Sequence, residues 1–160
     1  AVLAARPFVG NEPFAVLYGD DVIISDLPVT GQLCKVYEQY GKGTVGVKQV
    51  PEADVSKYCS LKVGPVNDRV MTVSDMIEKP TPDKIMSNWS ILGRCVLPPE
   101  IFDILESTSP GTGGEIQLTD AIRRLIATKE ILSYRYPGRR HDIGNPRGYF
   151  EALSAMGENQ

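Results

Sequence analysis

The run GTGGEIQLTDAIRRL, residues 111–125, constrains this chain more than any other stretch, because a glycine-rich turn passes directly into a helix with one apolar face. Leu118, Ala121, Ile122, Leu125 and Ile126 recur at helical spacing and leave Arg123, Arg124 and Lys129 towards water. Thr119 is the predicted N-cap, and Glu115 and Asp120 complement the positive end of the helix dipole. The remaining sequence alternates short apolar runs with helical patterns. Residues 14–18 read as a buried parallel strand that ends in the turn Gly19-Asp20-Asp21; residues 28–40 read as a helix, 44–50 as a strand and 51–58 as a short helix. Residues 61–63 and 70–77 read as antiparallel strands around Asn67-Asp68, and residues 87–97 as a strand stopped by Pro98-Pro99. A helix from Pro99 to Leu105, a strand over 131–136 and a last helix opened by Pro146 complete the pattern. No repeat, linker or low-complexity block interrupts it. The expected fold is α/β, in one domain or one incomplete domain.

Composition narrows the function classes. With 42% hydrophobic and 23% charged residues and a net charge of −3, the chain suits one packed core, and neither a membrane nor a nucleic-acid polymer is an expected partner. Cys34, Cys59 and Cys95 are odd in number, form no CxxC pair and follow no signal-peptide pattern, so a reduced cytoplasmic compartment is expected. Those cysteines and the lone His141 lack zinc-ligand spacing. A Cys59-His141-Asp142 nucleophile is rejected as well, because an aspartate cannot easily orient the imidazole of its own sequence neighbour. Asn88-Trp89-Ser90 is a glycosylation sequon only by coincidence.

The segment 111–125, together with NEPFAVLYGDD (11–21), GVKQVPEADVSKY (46–58), EKP (78–80), SNWSILGRCVLPPEIF (87–102) and GRRHDIGNPRGY (138–149), resembles the bacterial UTP:glucose-1-phosphate uridylyltransferases. The resemblance implies a Rossmann-like mixed sheet of the sugar nucleotidyltransferase type. In that family a loop of the type GxGTRxxP in an N-terminal half holds the nucleotide, and no such loop occurs here. Residues 1–8 read as the end of a helix that starts upstream. The expectation is therefore that residues 1–160 are the C-terminal part of a single nucleotidyltransferase domain, incomplete at the N-terminus and inactive alone.

The chemistry implied is nucleotidyl transfer: a sugar phosphate oxygen attacks the α-phosphorus of UTP and pyrophosphate leaves. Such a reaction needs charge neutralisation and in-line positioning, for which Mg²⁺ on hard oxygen ligands is suited. Asp20 and Asp142 both follow predicted strands and can share the carboxyl edge of one sheet, or serve only as turn and capping residues. The resemblance makes them the metal ligands. It likewise implies that Glu78 binds the sugar hydroxyls and Lys79 the phosphate, so that Asp20, Lys79 and Asp142 are the catalytic residues. Adjacent strand residues face opposite ways, so Glu78 and Lys79 share a site only at a bend, which Pro80 can supply.

Two departures bear on the sugar. Cys59 stands where the family usually has a glycine that lets the sugar approach the backbone, and Trp89 stands where a smaller residue is typical. Trp89 is either a stacking platform or a core residue. Asn88 can hydrogen-bond ligand hydroxyls or satisfy the backbone, so the substrate-binding set is Cys59, Glu78, Lys79 and Asn88. The implied partners are glucose 1-phosphate and UTP or UDP-glucose, with Mg²⁺ as cofactor and self-association through uncovered edges. A non-catalytic binding module of the same half-fold and a thymidylyl or cytidylyl transferase remain as alternatives.

Overall fold

A computed structural model describes residues 1–111 and 114–157. The glycine-rich turn around Thr112 and Gly113 thus falls partly outside the described residues. The chain opens with a 3₁₀ turn, Val2–Ala5, and the single helical turn α1, Arg6–Val9. Strand β1 (Phe14–Leu17) follows, then β2 (Asp21–Ile24) and helix α2 (Val29–Tyr40). Gly41, at φ 64°, ends α2 by donating its N–H to Tyr37 O at 2.7 Å, a left-handed stop that glycine adopts without a Cβ penalty. Next come β3 (Gly43–Gln49), a 3₁₀ turn (Glu52–Lys57), β4 (Cys59–Pro65) and β5 (Val70–Glu78). Strand β6 (Trp89–Leu97) leads to α3 (Ile101–Glu106) and α4 (Leu118–Ile126). Strands β7 (Ile131–Arg135) and β8 (Arg139–Asp142) and helix α5 (Pro146–Gly157) finish the fold.

Six strands form a mixed sheet in the order β1-β6-β3-β7-β5-β4, and β2 and β8 form a separate two-stranded sheet. Only β3 and β7 pair in parallel within the large sheet; the other four pairings are antiparallel. The expected parallel strand over residues 14–18 is thereby corrected. It is an edge strand paired antiparallel with β6, and its alternating half-buried and exposed residues fit one covered face.

Both faces of the central sheet are covered, and successive residues divide between them. Ile131 and Cys95 point to the α3–α4 side, where they pack with Phe102, Ile122 and Leu125; Leu132 and Val96 point to the α2 side, where they pack with Val29, Leu33 and Val36. The stripe on α4 is realised as expected, with Ala121, Ile122 and Leu125 buried. The three basic residues are exposed yet partnered. Arg123 grips the Asp75 carboxylate with two nitrogens, at 2.7 and 3.1 Å, Arg124 donates to Ile104 O at the end of α3, and Lys129 pairs with Glu100. Trp89 is half-buried and packs against the main core.

Candidate functional site

A cavity of about 570 Å³ opens where the two sheets meet. Asp20, Asp21, Tyr58, Cys59, Glu78, Gln117, Thr119, Arg140 and Asp142 contribute its polar wall. Of the sequence-predicted residues, Asp20, Asp142, Cys59 and Glu78 are therefore brought together, whereas Lys79 and Asn88 do not line the cavity.

The aspartates meet on the small sheet. Asp142 ends β8 directly opposite Asp21 in the β2–β8 ladder, and Ile143 N donates to Asp20 O at 2.8 Å. A Cβ placed on Gly144 would lie 3.2 Å from Asp142 Oδ1 and 3.4 Å from Asp20 Oδ2, so both carboxylates flank one point. The expectation that they share the edge of one sheet is corrected in one respect: Asp20 leads into β2, and Asp142 belongs to β8 rather than to the main sheet. Two exposed-to-half-buried carboxylates suit a hard divalent cation that keeps water and phosphate oxygens as its other ligands. Among the described residues no three His, Cys, Asp or Glu side chains cluster as an all-protein metal cage would require.

Arg140 organises this end of the cavity. Its Nε pairs with Asp21, its Nη2 reaches Asp142 Oδ2 at 3.3 Å, and its Nη1 reaches Tyr58 Oη at 3.2 Å, while its guanidinium lies 5.1 Å from the centre of the Tyr58 ring. Burial pushes the Asp21 carboxyl above the ordinary aspartate range, and the Arg140 bond pulls against it. Asp142 also accepts from Gly144 N at 3.1 Å through Oδ1 and from Tyr58 Oη at 3.5 Å through Oδ2. Two glycines make the geometry possible. Gly93, at φ 81°, has no Cβ to strike Asp21 Cβ at 2.9 Å, and a Cβ on Gly148 would stand 1.8 Å from Asp142 O.

Glu78 is held differently. It ends β5 opposite Cys59 on β4, and its Oε2 accepts a hydrogen bond from Thr119 Oγ1 at 2.8 Å. Thr119 is thus not the N-cap of α4, as the sequence suggests; Gln117 occupies that position, and the threonine hydroxyl is spent on Glu78. Lys79 follows at φ 44°, so the bend after Glu78 is made by the lysine itself and not by Pro80 alone. Its N–H donates to Tyr58 O at 2.8 Å, and the residue is exposed and does not line the cavity.

Cys59 is buried, its Sγ accepting from Ile91 N at 3.1 Å, and burial pushes its thiol up to about 12. The thiol, hydrogen-bonded in this way, forms part of the cavity wall. Asn88 immediately precedes β6, and its carbonyl accepts from Val50 N at 2.9 Å and its Oδ1 from Gln49 Nε2 at 3.4 Å.

Sequence reasoning missed Asp21, Tyr58, Thr119 and Arg140 as site residues. The doubled Asp20-Asp21 and the basic pair before His141 are the only signals that point to them, and neither shows that residues so distant in sequence close on each other.

Similarity to known proteins agrees with this geometry. Residues 1–159 match the family described as nucleotidyl transferase. The chain is 44% identical over 149 residues to a UTP–glucose-1-phosphate uridylyltransferase of Staphylococcus epidermidis, covering 93% of this chain and 52% of that protein. It is 39% identical over 161 residues to the enzyme of that name from Pseudomonas aeruginosa, covering 99% of this chain and 58% of that protein. A UDP-glucose pyrophosphorylase solved in complex with UDP-glucose superposes with a TM-score of 0.94 at 38% identity, over 99% of this chain and 61% of that one. The chain spans about half the length of the curated relatives it matches. With the family match running over almost all of its length and the cavity-lining carboxylates on a fold shared with these enzymes, the chain belongs to the nucleotidyl transferase family.

Proposed function

We propose that this chain supplies the sugar-phosphate and metal-binding part of a uridylyltransferase that converts UTP and glucose 1-phosphate to UDP-glucose and pyrophosphate. The observation that carries this reading is that one cavity gathers Asp20, Asp142 and Glu78, in a chain whose relatives at 39 and 44% identity bear that enzyme's name. Glu78 accepts the sugar hydroxyls and Cys59 closes the wall beside them. Lys79 neutralises the sugar phosphate from the strand end, and Asn88 serves a hydroxyl; both reach the ligand by side-chain movement, since neither lines the cavity. Asp20 and Asp142 are the residues to hold Mg²⁺, which when bound supplies charge neutralisation for the transferring phosphoryl group. Arg140 keeps Asp142 fixed and Tyr58 beside it. The reading includes a cytoplasmic setting and a homo-oligomer. No helix of the described residues is long and apolar enough to cross a membrane, and Tyr149, Phe150, Leu153 and Met156 leave an exposed apolar stripe on α5.

The decisive experiment joins this chain to the N-terminal half of a uridylyltransferase of the family and compares Asp20→Asn with the unmodified fusion. Turnover of UTP and glucose 1-phosphate is expected to fall roughly a hundredfold or more, because a hard anionic ligand is lost at nearly constant volume. Equal turnover sinks the metal assignment. The 160-residue chain alone lacks the GxGTRxxP loop and is expected to release no pyrophosphate from these substrates, a result that a coupled phosphate assay checks directly.

A further inference from the structure

Thr119 has no place in the reaction as set out above, yet it is nearly buried, lines the cavity and, among the described residues, gives its only side-chain hydrogen bond to Glu78. We infer that Thr119 is a positioning residue that locks the Glu78 carboxylate in the orientation in which it accepts hydroxyl groups of the sugar. This rests on the sugar-phosphate reading of the cavity.

The 2.8 Å bond occupies Glu78 Oε2, and among the described residues Oε1 has no hydrogen-bond partner. A half-buried carboxylate with one oxygen satisfied from within the protein presents the other as an acceptor, so its complement is a donor such as an alcohol. The lock is also rigid. Thr119 sits in the first turn of α4, and one turn later Arg123 grips Asp75 on β5, the same strand that carries Glu78. Ala121, Ile122 and Leu125 bury the helix against the sheet between and beyond these two clamps. A glutamate freed of Thr119 regains rotamers that point it elsewhere, and ordering it again on binding weakens affinity. A serine retains the hydroxyl and loses only a methyl group, whereas a valine retains the shape and leaves Oε2 without its donor.

The test measures glucose 1-phosphate binding to the full 160-residue chain by calorimetry, with Thr119→Val, Thr119→Ser and Glu78→Gln, alone and with Thr119→Val combined with Glu78→Gln. Circular dichroism and thermal unfolding establish that each variant folds. Thr119→Val is expected to weaken binding about tenfold, Thr119→Ser to stay near the unmodified chain, and Thr119→Val to add nothing once Glu78 is glutamine. A role confined to helix stability would instead act additively with Glu78→Gln. Unchanged affinity in Thr119→Val, equal losses in the serine and valine variants, or additive losses overturn the positioning role while leaving the sugar reading intact. No binding to the unmodified chain, or full binding to Glu78→Gln, overturns that reading and the positioning role with it.

Discussion

Two walls of one cavity are built by different physics. On the Glu78 side, a nine-residue strand embeds Val73 and Met76 in the main core, and one hydrogen bond from a packed helix finishes the positioning of the carboxylate. On the Asp142 side, the β2–β8 ladder is four residues per strand and carries Arg139, Arg140, His141 and Asp142 on one of them. Such strands bury little apolar area, so charge must close on charge: Asp21 on Arg140, Arg140 on Asp142 and Tyr58, Asp142 on Gly144. Where apolar burial is available, a single polar contact orients a functional group. Where it is not, the group depends on a network in which every member needs its partner.

The largest expected effect breaks that network. Arg140→Leu leaves Asp21, whose side chain is 4% exposed, without its cation, and should cost about 3–5 kcal/mol in urea unfolding at neutral pH. Adding Asp21→Asn to that variant should recover much of the loss. The pH dependence has a definite sign. The Asp21 carboxyl is already raised by burial, and removing Arg140 raises it further, so the folded state then binds the proton more tightly than the unfolded chain. The penalty is full above that raised folded value and disappears as pH falls through it towards the ordinary aspartate value of about 4. A loss that is the same on both sides of that window would show that Arg140 acts through packing alone.

A smaller effect sharpens the comparison through backbone contact. Gly148→Ala drives a Cβ to 1.8 Å from Asp142 O, so α5 must retreat from β8, at a cost of about 1–3 kcal/mol. Gly157→Ala, which meets nothing within 4 Å, is the control on the same helix. If the two substitutions have equal effects on thermal unfolding, the close approach of α5 does not hold the Asp142 side in place.

The smallest effect lies on the Glu78 side. Asp75→Asn removes the Arg123 clamp and should cost about 0.2–1 kcal/mol, as expected for a largely solvated pair. The Arg123 hydrogen bond holds the Asp75 carboxyl below its ordinary range, so its contribution is present above the unfolded value and lost as pH falls through the depressed folded one. The difference between the unmodified chain and Asp75→Asn should therefore vanish in acid, as the Arg140→Leu penalty does, but here because the unmodified chain loses stability whereas at Asp21 the variant regains it. A difference that grows in acid would contradict the assigned direction.

Much of the fold is legible in the sequence because its elements carry periodic burial. The α4 stripe, the strands near residues 44–50, 70–77 and 131–136, and the helix opened by Pro146 are all realised, the last with Asn145 Oδ1 accepting from Gly148 N at 2.9 Å. The β2 and β8 strands went unread because RRHD has no apolar alternation and DVII is too short to distinguish from the turn before it. Thr119 misled for a related reason. A threonine at a helix start is a good cap by local rules, and only the neighbouring strand offers it a stronger acceptor.

The sequence by itself determined the family, the α/β class and four of the residues that line the cavity, Asp20, Cys59, Glu78 and Asp142, because motifs, apolar periodicity and side-chain chemistry are properties of short segments. Tertiary structure alone decided the partners. That Asp21 meets Arg140 across more than a hundred residues, that Thr119 donates to Glu78, that Lys79 takes a positive φ, and that Gly93 and Gly148 must lack a Cβ all follow from how the sheets and helices pack. Such contacts are set by the register and approach of elements distant in the chain, and a short segment carries no record of what will lie against it.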